Sequence, residues 1–432
     1  MISERKIAHD ILTKISREKS YSNIELDKHL KGLDSRSRGF ITNLVYGTIS
    51  NRMRIDYIIS AYSSVPINKI SPDVLEILRM GIYQLLYTDK IPLYAIVNES
   101  VELCRLKSVK GFINGMLRNI ARNSKPVNYP KDFAQFLSVF YSCPKWICDM
   151  WIKTYGKKAA EDLIKSTNDA PKLCARVNTL KISVEDFCKK YDAVKDEFTD
   201  CGVIFENSVS ISDDEGHKNG LFYIQDTASQ LPCEVLSPNE NDVVFDMCAA
   251  PGGKTTYLAQ IMKNKGSIYA FDIHPHKIKL IENTATRLGV TNVSAQVKDS
   301  SVLDESLIGK ADKILLDAPC SGLGIIRRKP EIKFDKTPED ITAIVSLQET
   351  MLETASKYLK CGGRLVYSTC TINEEENQNQ IKNFLQSHKN FSLQSIYTNN
   401  VKSDSGLIQL LPSVHGCDGF FVANLVKTEE EA

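Results

Sequence analysis

The stretch Val243-Val-Phe-Asp-Met-Cys-Ala-Ala-Pro-Gly-Gly-Lys254 joins a short apolar run to a glycine turn, and a helical pattern follows. A buried strand that ends in such a turn is typical of the first βα unit of a Rossmann-like α/β domain. Gly252 and Gly253 allow the backbone to turn tightly and to approach a ligand, because neither residue carries a Cβ. The stretch therefore predicts an α/β domain with a ligand pocket at the end of this strand.

From about residue 221 the chain alternates short apolar runs with amphipathic segments. This alternation indicates a parallel sheet covered by helices on both faces. Ligands of such sheets bind beyond the carboxyl ends of the strands, which is where the motifs described below fall. Strands are predicted at Asp242–Asp246, Ser267–Asp272, Val293–Val297, Asp312–Asp317 and Arg364–Ser368, helices at Thr256–Lys263, His276–Leu288, Pro338–Leu359 and Asn373–Ser387, and an added antiparallel pair of strands at Leu407–Leu411 and Phe420–Leu425.

The N-terminal part of the chain is predicted to be entirely helical. One helix opens with Ser71 as N-cap and Pro72 at the first helical position, and apolar residues at helical spacing continue to Arg122. We expect three domains: an all-α domain over 1–128, a small α+β module over 135–220 and the α/β domain over 221–430. Lys125-Pro-Val-Asn-Tyr-Pro130, with two prolines in a polar setting, is the predicted linker after the first domain.

The overall composition excludes several classes of protein. A chain of 432 residues with 42% hydrophobic and 25% charged residues is typical of a soluble protein with several domains. No apolar run approaches the roughly 20 residues that span a bilayer, and the start of the chain predicts no signal peptide. Twelve cysteines without a CxxC pair predict reduced thiols, a cytoplasmic location and no metal site.

The charge is distributed unevenly along the chain. Residues 1–125 contain 20 Lys and Arg against 12 Asp and Glu, a local charge of +8, whereas the whole chain carries +1. Seven basic residues and no acidic residue lie between Arg105 and Lys131. This asymmetry favours a nucleic-acid partner for the helical domain, although a solvated basic helix face would have the same pattern.

The glycine turn is followed by acidic residues at the ends of the next two predicted strands. Asp272 stands at the position where ribose hydroxyls are bound, and Asp299 offers a third polar group near an adenine amine. Because the turn lacks the GxGxxG spacing of dinucleotide folds, the pattern favours S-adenosylmethionine over NAD. The alternative is a glycine turn that serves packing alone.

Two cysteines follow the next two predicted strands, in Asp317-Ala-Pro-Cys320 and in Tyr367-Ser-Thr-Cys370. A thiolate near an adenosyl cofactor can attack carbon 6 of a pyrimidine and so activate carbon 5 for methylation. Asp317 could contact either the cytosine edge or the methionine end of the cofactor. Either cysteine alone would more often be a buried small hydrophobic residue, and the spacing does not decide which thiol attacks. The run Arg327-Arg-Lys-Pro-Glu-Ile-Lys333 could hold phosphates at the entrance.

Two other functions are compatible with these residues. A methyltransferase with these residues could act on DNA or on transfer RNA, although the basic helical region favours structured RNA. A helical N-terminus also suits an RNA-binding or assembly factor without catalytic activity. The two thiols together with the cofactor pattern argue against this second alternative. Nothing in the sequence requires more than a monomer, and no membrane contact is expected.

The chain resembles the bacterial 16S ribosomal RNA cytosine-C5 methyltransferases of the RsmB type. The resemblance rests on a set of motifs that span nearly the whole chain: Tyr223–Gln230, Asp246–Lys254, Asp272, Asp299, Asp317–Gly322, Ser368–Cys370 and Asp418–Phe421. It implies a NusB-like fold for the helical domain and the family's intermediate module around Arg176-Val-Asn-Thr179. Arg328-Lys-Pro-Glu331 replaces the more usual Arg-His-Pro-Asp run, and Cys417 stands where Thr is common.

The resemblance also implies roles for individual residues. Cys370 matches the family's nucleophile, and Cys320 matches the second cysteine, which assists release of the methylated product. The implied substrate is one cytosine of 16S ribosomal RNA, which would be flipped into the pocket. The positions that match S-adenosylmethionine ligands in the family are Cys248, Ala249, Ala250, Pro251, Gly252, Gly253, Lys254, Asp272, Asp299 and Asp317.

Overall fold

The computed structural model describes residues 3–18, 20–89, 91–122, 127–207, 211 and 213–428. Lys125 and Pro126 of the predicted linker lie outside the described residues. The chain divides into two compact units: Met1–Ala170 with Ile326–Asp335, and Pro171–Ile325 with Lys336–Ala432. The domain boundaries expected at 128, 135 and 220 therefore do not coincide with the division between these units, and they stay predictions. No helix among the described residues is long and apolar enough to cross a membrane.

The helices account for all of the regular structure in the described part of the first unit and for the outer layers of the second. In chain order they are α1 (Glu4–Glu18), α2 (Ser22–His29), α3 (Ser35–Ser50), α4 (Arg52–Tyr62), α5 (Pro72–Tyr87), α6 (Leu93–Leu103), α7 (Lys107–Arg122), α8 (Phe133–Phe140), α9 (Lys145–Tyr155), α10 (Lys157–Ser166), α11 (Val184–Tyr191), α12 (Glu215–Lys218), α13 (Thr227–Leu236), α14 (Gly253–Ile261), α15 (Pro275–Leu288), α16 (Ile332–Asp335), α17 (Pro338–Tyr358), α18 (Gln378–Ser387) and α19 (Pro412–His415).

The first unit is helical, as the sequence predicted, and contains α1–α10 and α16. Its core is formed by apolar helix faces, such as the buried Val74, Ile77 and Leu78 of α5. Pro72 occupies the first position of α5 as expected, but the Ser71 side chain makes no capping hydrogen bond. The fixed φ angle of Pro72, rather than a side-chain cap, therefore favours the start of the helix at this position.

The segment Ile326–Asp335 packs within the first unit rather than lying on the surface. The Glu331 carboxylate accepts hydrogen bonds of 3.1 and 2.9 Å from the backbone N–H and the hydroxyl of Ser22. Lys333 is fully buried and donates a 2.7 Å hydrogen bond to the Asn168 side-chain oxygen. The prediction that Lys333 belongs to a phosphate-binding run is therefore wrong, because a fully buried ammonium cannot contact a phosphate.

The described part of the second unit contains three sheets. Its strands are β1 (Cys174–Val177), β2 (Ala193–Lys195), β3 (Gly202–Phe205), β4 (Phe222–Ile224), β5 (Val243–Asp246), β6 (Ser267–Asp272), β7 (Val293–Val297), β8 (Ala311–Asp317), β9 (Leu359–Thr369), β10 (Phe391–Leu393), β11 (Ile396–Tyr397), β12 (Lys402–Ser403), β13 (Leu407–Leu410) and β14 (Phe420–Lys427). A small antiparallel sheet has the order β2-β3-β1-β4. β11 and β12 form a separate hairpin pair.

The large sheet has the order β10-β14-β9-β8-β5-β6-β7, and β13 pairs with the free edge of β14. The five strands from β9 to β7 are parallel, and β14 runs antiparallel to β9, β10 and β13. This arrangement confirms the predicted α/β methyltransferase-like sheet with an antiparallel addition. Apolar strands buried between helices account for the parallel part.

Most predicted element bounds in this unit are close to the observed ones, with two differences that bear on the site. Helix α14 begins at Gly253 rather than Thr256, because the turn at Gly252 leads directly into it. Helix α18 begins at Gln378 rather than Asn373, because the preceding residues form a loop held by side-chain hydrogen bonds. Helix α13 was not predicted, and its Pro232 is a residue that disfavours a helix interior.

Candidate active site

The switch point of the large sheet lies between β5 and β8, where the order of connection reverses. β5 ends at Asp246 and β6 ends at Asp272. β8 ends at Asp317, which is paired in register with Ser368 near the end of β9. The structure thus brings the predicted side chains to the carboxyl edge of one sheet, because neighbouring parallel strands end there together.

Asp246 is a fully buried acid at the start of the glycine turn. One of its carboxyl oxygens accepts a 2.7 Å hydrogen bond from the hydroxyl of Thr255, whereas the other has no hydrogen-bond donor within the part of the chain that the structure describes. Burial raises the pKa of Asp246 to about 6. A buried oxygen without a donor is costly, so Asp246 marks a place where a ligand or water would be stabilising.

The two glycines of the turn lie close to neighbouring residues of the protein, since a Cβ on Gly252 would lie 3.2 Å from the Cα of Ile281. Gly252 has φ +99° and its N–H donates a 2.7 Å hydrogen bond to the carbonyl of Ala249. A Cβ on Gly253 would lie 2.8 Å from the Tyr223 ring, so a larger residue would displace that ring. Helix α14 begins here, and its first N–H groups have no partners within the helix. Of the other predicted turn residues, Ala249 is buried, Cys248 and Ala250 are half-buried and Pro251 is exposed.

Arg176 of β1 forms hydrogen bonds with this turn. From the sequence, its only expected role was as part of a family motif. Its guanidinium is buried and donates hydrogen bonds to the carbonyl of Gly253 and, at 2.9 Å, to the hydroxyl of Thr256. It also lies over the Tyr257 ring, 4.9 Å from the centroid. Burial lowers the pKa of Arg176, yet an arginine remains charged in proteins. The small sheet therefore supplies a fixed donor that orients the start of α14.

The two acidic residues that follow β6 and β7 are held by local hydrogen bonds. Asp272 is buried, accepts a 3.0 Å hydrogen bond from the backbone N–H of His274 and lies 3.6 Å from the Lys277 ammonium. Asp299 accepts hydrogen bonds from the backbone and hydroxyl of Ser301 at 2.9 and 2.6 Å. Both carboxylates are therefore oriented by neighbouring residues of their own loops.

Lys254 and Asp317 form an ion pair of 2.7 Å that connects the glycine turn to β8. Lys254 also donates a 3.1 Å hydrogen bond to the hydroxyl of Ser229, and Asp317 accepts a 2.8 Å hydrogen bond from the hydroxyl of Ser368. Burial tends to lower the pKa of Lys254, but the charge and hydrogen bond of Asp317 raise it above its ordinary value. Lys254 is therefore a permanent cation beside the two thiol loops.

The sulfurs of Cys320 and Cys370 lie 3.2 Å apart, and both thiols are partly accessible. Backbone hydrogen bonds hold the two loops together: Ala318 donates to the carbonyl of Ser368 at 2.8 Å, and Gly324 donates to the carbonyl of Cys370 at 3.1 Å. The hydrogen bond with Cys370 raises the pKa of Cys320 well above its usual value, and burial adds to the effect. Cys320 therefore stays protonated at neutral pH.

Sequence reasoning did not single out Ser229 or Ser368 as site residues. Ser368 stands in the quoted Tyr367–Cys370 run, and Ser229 stands in the Tyr223–Gln230 run. Both motifs were therefore visible, but their contacts with Asp317 and Lys254 join residues far apart in the chain. The described residues contain no cluster of His, Cys, Asp and Glu that could hold a metal ion.

The residues at this edge fit an adenosyl cofactor. One buried oxygen of Asp246 has no hydrogen-bond donor among the described residues, and Asp272 and Asp299 follow the next two strands. A carboxylate after the second strand of such a sheet suits the two hydroxyls of a ribose. The turn lacks the GxGxxG spacing of dinucleotide folds, which agrees with a cofactor without a pyrophosphate.

Comparisons with known families cover the whole architecture. Residues 233–426 match the family model of the 16S rRNA methyltransferase RsmB/F. Residues 2–122 match the NusB family, and residues 143–212 match the ferredoxin-like domain of RsmF/B-like methyltransferases. The three matches lie in the predicted order of all-α domain, small α+β module and methyltransferase domain.

Individual relatives cover nearly the full length. The probable ribosomal RNA small subunit methyltransferase B of Bacillus subtilis is 37% identical over 98% of this chain and 99% of its own. The corresponding protein of Synechocystis is 35% identical over 99% of this chain and 100% of its own. The crystal structure of PH0851 is 28% identical, covers 99% of both chains and has a TM-score of 0.84.

A second solved structure bears on the cofactor. NSun6 from Pyrococcus horikoshii with SFG is 26% identical over 66% of this chain and 99% of its own, with a TM-score of 0.59. SFG is an analogue of S-adenosylmethionine, and S-adenosylmethionine is the cofactor of this group of enzymes. The chain accordingly belongs to the RsmB/F family of S-adenosylmethionine-dependent methyltransferases.

Proposed function

We propose that this chain methylates carbon 5 of one cytosine in 16S ribosomal RNA and that Cys370 forms a transient covalent bond to carbon 6 of that base. The observation that carries the proposal is the 3.2 Å approach of the Cys320 and Cys370 sulfurs at the ends of two neighbouring strands. The adjacent Lys254–Asp317 pair gives the thiols a charged environment, which packing alone does not require.

Carbon 5 of cytosine is a weak nucleophile and needs activation before it can accept a methyl group. In the proposed reaction the Cys370 thiolate adds to carbon 6, and the electron pair of the 5–6 double bond moves toward carbon 5. When bound, S-adenosylmethionine supplies a methyl group on a positively charged sulfur, which carbon 5 can attack. Removal of the carbon 5 proton then expels the Cys370 thiolate and restores the ring.

Cys320 is proposed to take part in this last step. Its hydrogen bond with Cys370 is the largest cause of its raised pKa. Once the Cys370 sulfur is bonded to the base, that sulfur no longer carries a negative charge, so the pKa of Cys320 should fall. Cys320 can then lose its proton to water and accept the carbon 5 proton as the Cys370 thiolate leaves, and the family resemblance implies a role for it in this release step.

Lys254 and Asp317 are proposed to face the target base. The Lys254 ammonium can donate to the cytosine O2, where negative charge increases when the thiolate adds. The Asp317 carboxylate can accept from the exocyclic amine. Asp317 could instead contact the methionine end of the cofactor, and Gly252, Gly253, Asp272 and Asp299 are proposed to hold the rest of it. The turn residues Cys248–Pro251 are proposed to line the same pocket.

Ribosomal RNA is the proposed substrate because the relatives are named as small subunit methyltransferases and the family model is that of a 16S rRNA enzyme. The helical region is proposed to bind the RNA backbone, since residues 1–125 carry a net +8 and Arg118 and Arg122 of α7 are exposed. We expect a monomer that acts in the cytoplasm, with the target base flipped into the pocket.

The test is a covalent trap. RNA that contains 5-fluorocytosine cannot lose its carbon 5 substituent, so the enzyme should stay bound to it and migrate as an adduct on a denaturing gel. Cys370→Ala should form no adduct, whereas Cys320→Ala should accumulate an adduct even on ordinary cytosine. Labelling 16S ribosomal RNA, transfer RNA and DNA side by side identifies the nucleic acid. Normal turnover by Cys370→Ala would refute the assignment of the nucleophile.

A further inference from the structure

The loop that follows Cys370 contains Glu376, a carboxylate with no exposed surface. The described residues provide it with no lysine or arginine partner, and both of its oxygens accept only from neutral donors. Burying a carboxylate without a cation is unfavourable unless several donors compensate for the lost water. A buried carboxylate of this kind fixes the positions of the groups that donate hydrogen bonds to it.

The principal donors to Glu376 belong to the residue next to Cys320. The backbone N–H and the hydroxyl of Ser321 donate to its two oxygens at 2.8 and 2.5 Å. Gln348 of α17 donates to the same carboxylate at 3.3 Å and to the carbonyl of Pro319 at 2.9 Å. Both neighbours of Cys320 are therefore anchored, one directly by Glu376 and the other by Gln348.

Glu376 is also fixed within its own loop. The amide of Asn373 donates to it at 3.2 Å, and its backbone carbonyl accepts a 2.8 Å hydrogen bond from the hydroxyl of Tyr367. The hydroxyls of Thr371 and Ser321 lie 2.8 Å apart and join the two loops at a second point. The carboxylate therefore connects a rigid support on β9 to the irregular loop that carries Cys320.

The positions of Cys370 and Cys320 depend on Glu376 to different degrees. Cys370 directly follows Thr369, the last residue of β9, which is paired with Phe421 of β14, and Ser368 is paired with Asp317 of β8. Cys320 lies in a loop beyond the end of β8 and has no such ladder on either side. Strand pairing thus places Cys370. The Cys320 loop is held at its two ends by the backbone hydrogen bonds of Ala318 and Gly324, and the residues on either side of Cys320 are held by Glu376 and Gln348.

We infer that Glu376 is a positioning residue that holds Cys320 against Cys370, so that Cys320 can discharge the covalent adduct. The inference rests on the proposed function, because it concerns the release step of that reaction. Loss of Glu376 should therefore slow release much more than attack. The negative charge of Glu376 also contributes to the raised pKa of Cys320, which agrees with its position beside that thiol.

The experiment separates attack from release in Glu376→Ala and Glu376→Gln. On 5-fluorocytosine RNA, which reports attack and methyl transfer without release, both variants should form the adduct at close to the rate of the unmodified enzyme. On ordinary RNA, Glu376→Ala should turn over about ten to a hundred times more slowly and should accumulate adduct, while KM for RNA stays the same. Glu376→Gln keeps one acceptor oxygen and should restore part of the rate.

Glu374→Gln is the matched control, since Glu374 is an exposed acid in the same loop and should behave as the unmodified enzyme. If Glu376→Ala fails to fold, Ser321→Ala removes the hydroxyl that donates to Glu376 and contacts Thr371, keeps the backbone hydrogen bond to Glu376 and should give a weaker form of the same release defect. Equal loss of attack and turnover, or normal release in both Glu376 variants, would overturn the inference while the proposed function stands. Absence of any adduct with the unmodified enzyme would overturn both.

Discussion

The first compact unit contains one pair of neighbouring thiols, Cys143 and Cys148, and the second contains Cys320 and Cys370. In the first pair both residues are fully buried, and the Cys148 thiol donates to the carbonyl of Cys143 at 3.5 Å. In the second pair the sulfurs are 3.2 Å apart and both side chains are partly accessible. Proximity of two cysteines is therefore common to both pairs and cannot by itself indicate catalysis.

The lysine near each pair of cysteines has a different environment in the two units. Lys333 contributes to the electrostatic environment of Cys143 and Cys148, is fully buried and hydrogen-bonds through its ammonium to the neutral Asn168. Burial lowers the pKa of Lys333 to about 8. Lys254 is paired with Asp317, which raises its pKa. Access for a substrate and a charge-paired lysine distinguish the candidate active site from a pair of thiols that serves packing.

The largest expected effect comes from removing one thiol of each pair. Cys370→Ser should lower kcat for RNA methylation by at least about 10⁴-fold, as loss of a catalytic nucleophile does in other enzymes. Cys148→Ser should leave kcat unchanged, because its sulfur lies in the other unit and has no access to substrate. The measurement is transfer of a labelled methyl group to 16S ribosomal RNA. A comparable loss in both variants would show that the two pairs are not functionally distinct.

The next largest effect is expected when the lysine near each pair of cysteines, Lys254 or Lys333, is replaced. Lys254→Met should lower kcat by about 10²- to 10³-fold, because a fixed positive charge beside the reacting base would be lost. If Lys254 mainly serves the cofactor, KM for S-adenosylmethionine should rise instead. Single-turnover methylation together with calorimetric titration of S-adenosylmethionine separates these outcomes. Lys333→Met is the control and should keep both constants.

Substitution of Lys333 and of Lys254 should change the free energy of unfolding in opposite directions. The pKa of Lys333 falls from 10.5 to about 8 on folding, so its charge destabilises the fold below pH 8, and this cost disappears as the pH rises toward 10.5. At about 1.4 kcal/mol per pH unit the cost at pH 7 is about 3 kcal/mol, and loss of the Asn168 hydrogen bond offsets about 1 kcal/mol of any gain.

Lys333→Met should therefore raise the free energy of unfolding by about 2 kcal/mol at pH 7 and by less at pH 10. Urea denaturation at the two pH values measures this difference. Lys254→Met should be destabilising at pH 7, because it leaves Asp317 without its cation. A gain for Lys333→Met that is the same at both pH values would mean that side-chain packing rather than charge is responsible.

Local pattern was enough to predict the sheet and the shared position of the thiols. The observed β6 and β7 have the predicted bounds, because short apolar runs between polar turns leave little choice of register. Cys320 and Cys370 were expected at one edge because each follows a predicted parallel strand. Which thiol attacks was decided by resemblance to a family and stays a proposal.

Contacts between distant parts of the chain could not be predicted in the same way. Lys333 stands in a basic run that looks solvated, yet its segment packs against helices at the other end of the sequence. Glu376 stands in a polar stretch that suggested the first turn of a helix, whereas its carboxylate is directed to Ser321. In both cases the environment of a charged side chain depends on tertiary hydrogen bonds, which leave no local periodicity.

The smallest effect is a difference in labelling rates within the unmodified protein. Cys320 and Cys370 should react with iodoacetamide under native conditions, and Cys143 and Cys148 should react only after unfolding, because an alkylating agent needs an accessible thiolate. Labelling of Cys320 should keep increasing as the pH rises through 9, since its pKa is raised. Peptide mass spectrometry measures each site, with the exposed Cys361 as an internal standard. If Cys148 were labelled under native conditions as fast as Cys320, burial would not distinguish the two pairs of cysteines. The two pairs would then differ only in the charge environment of the lysine near each of them.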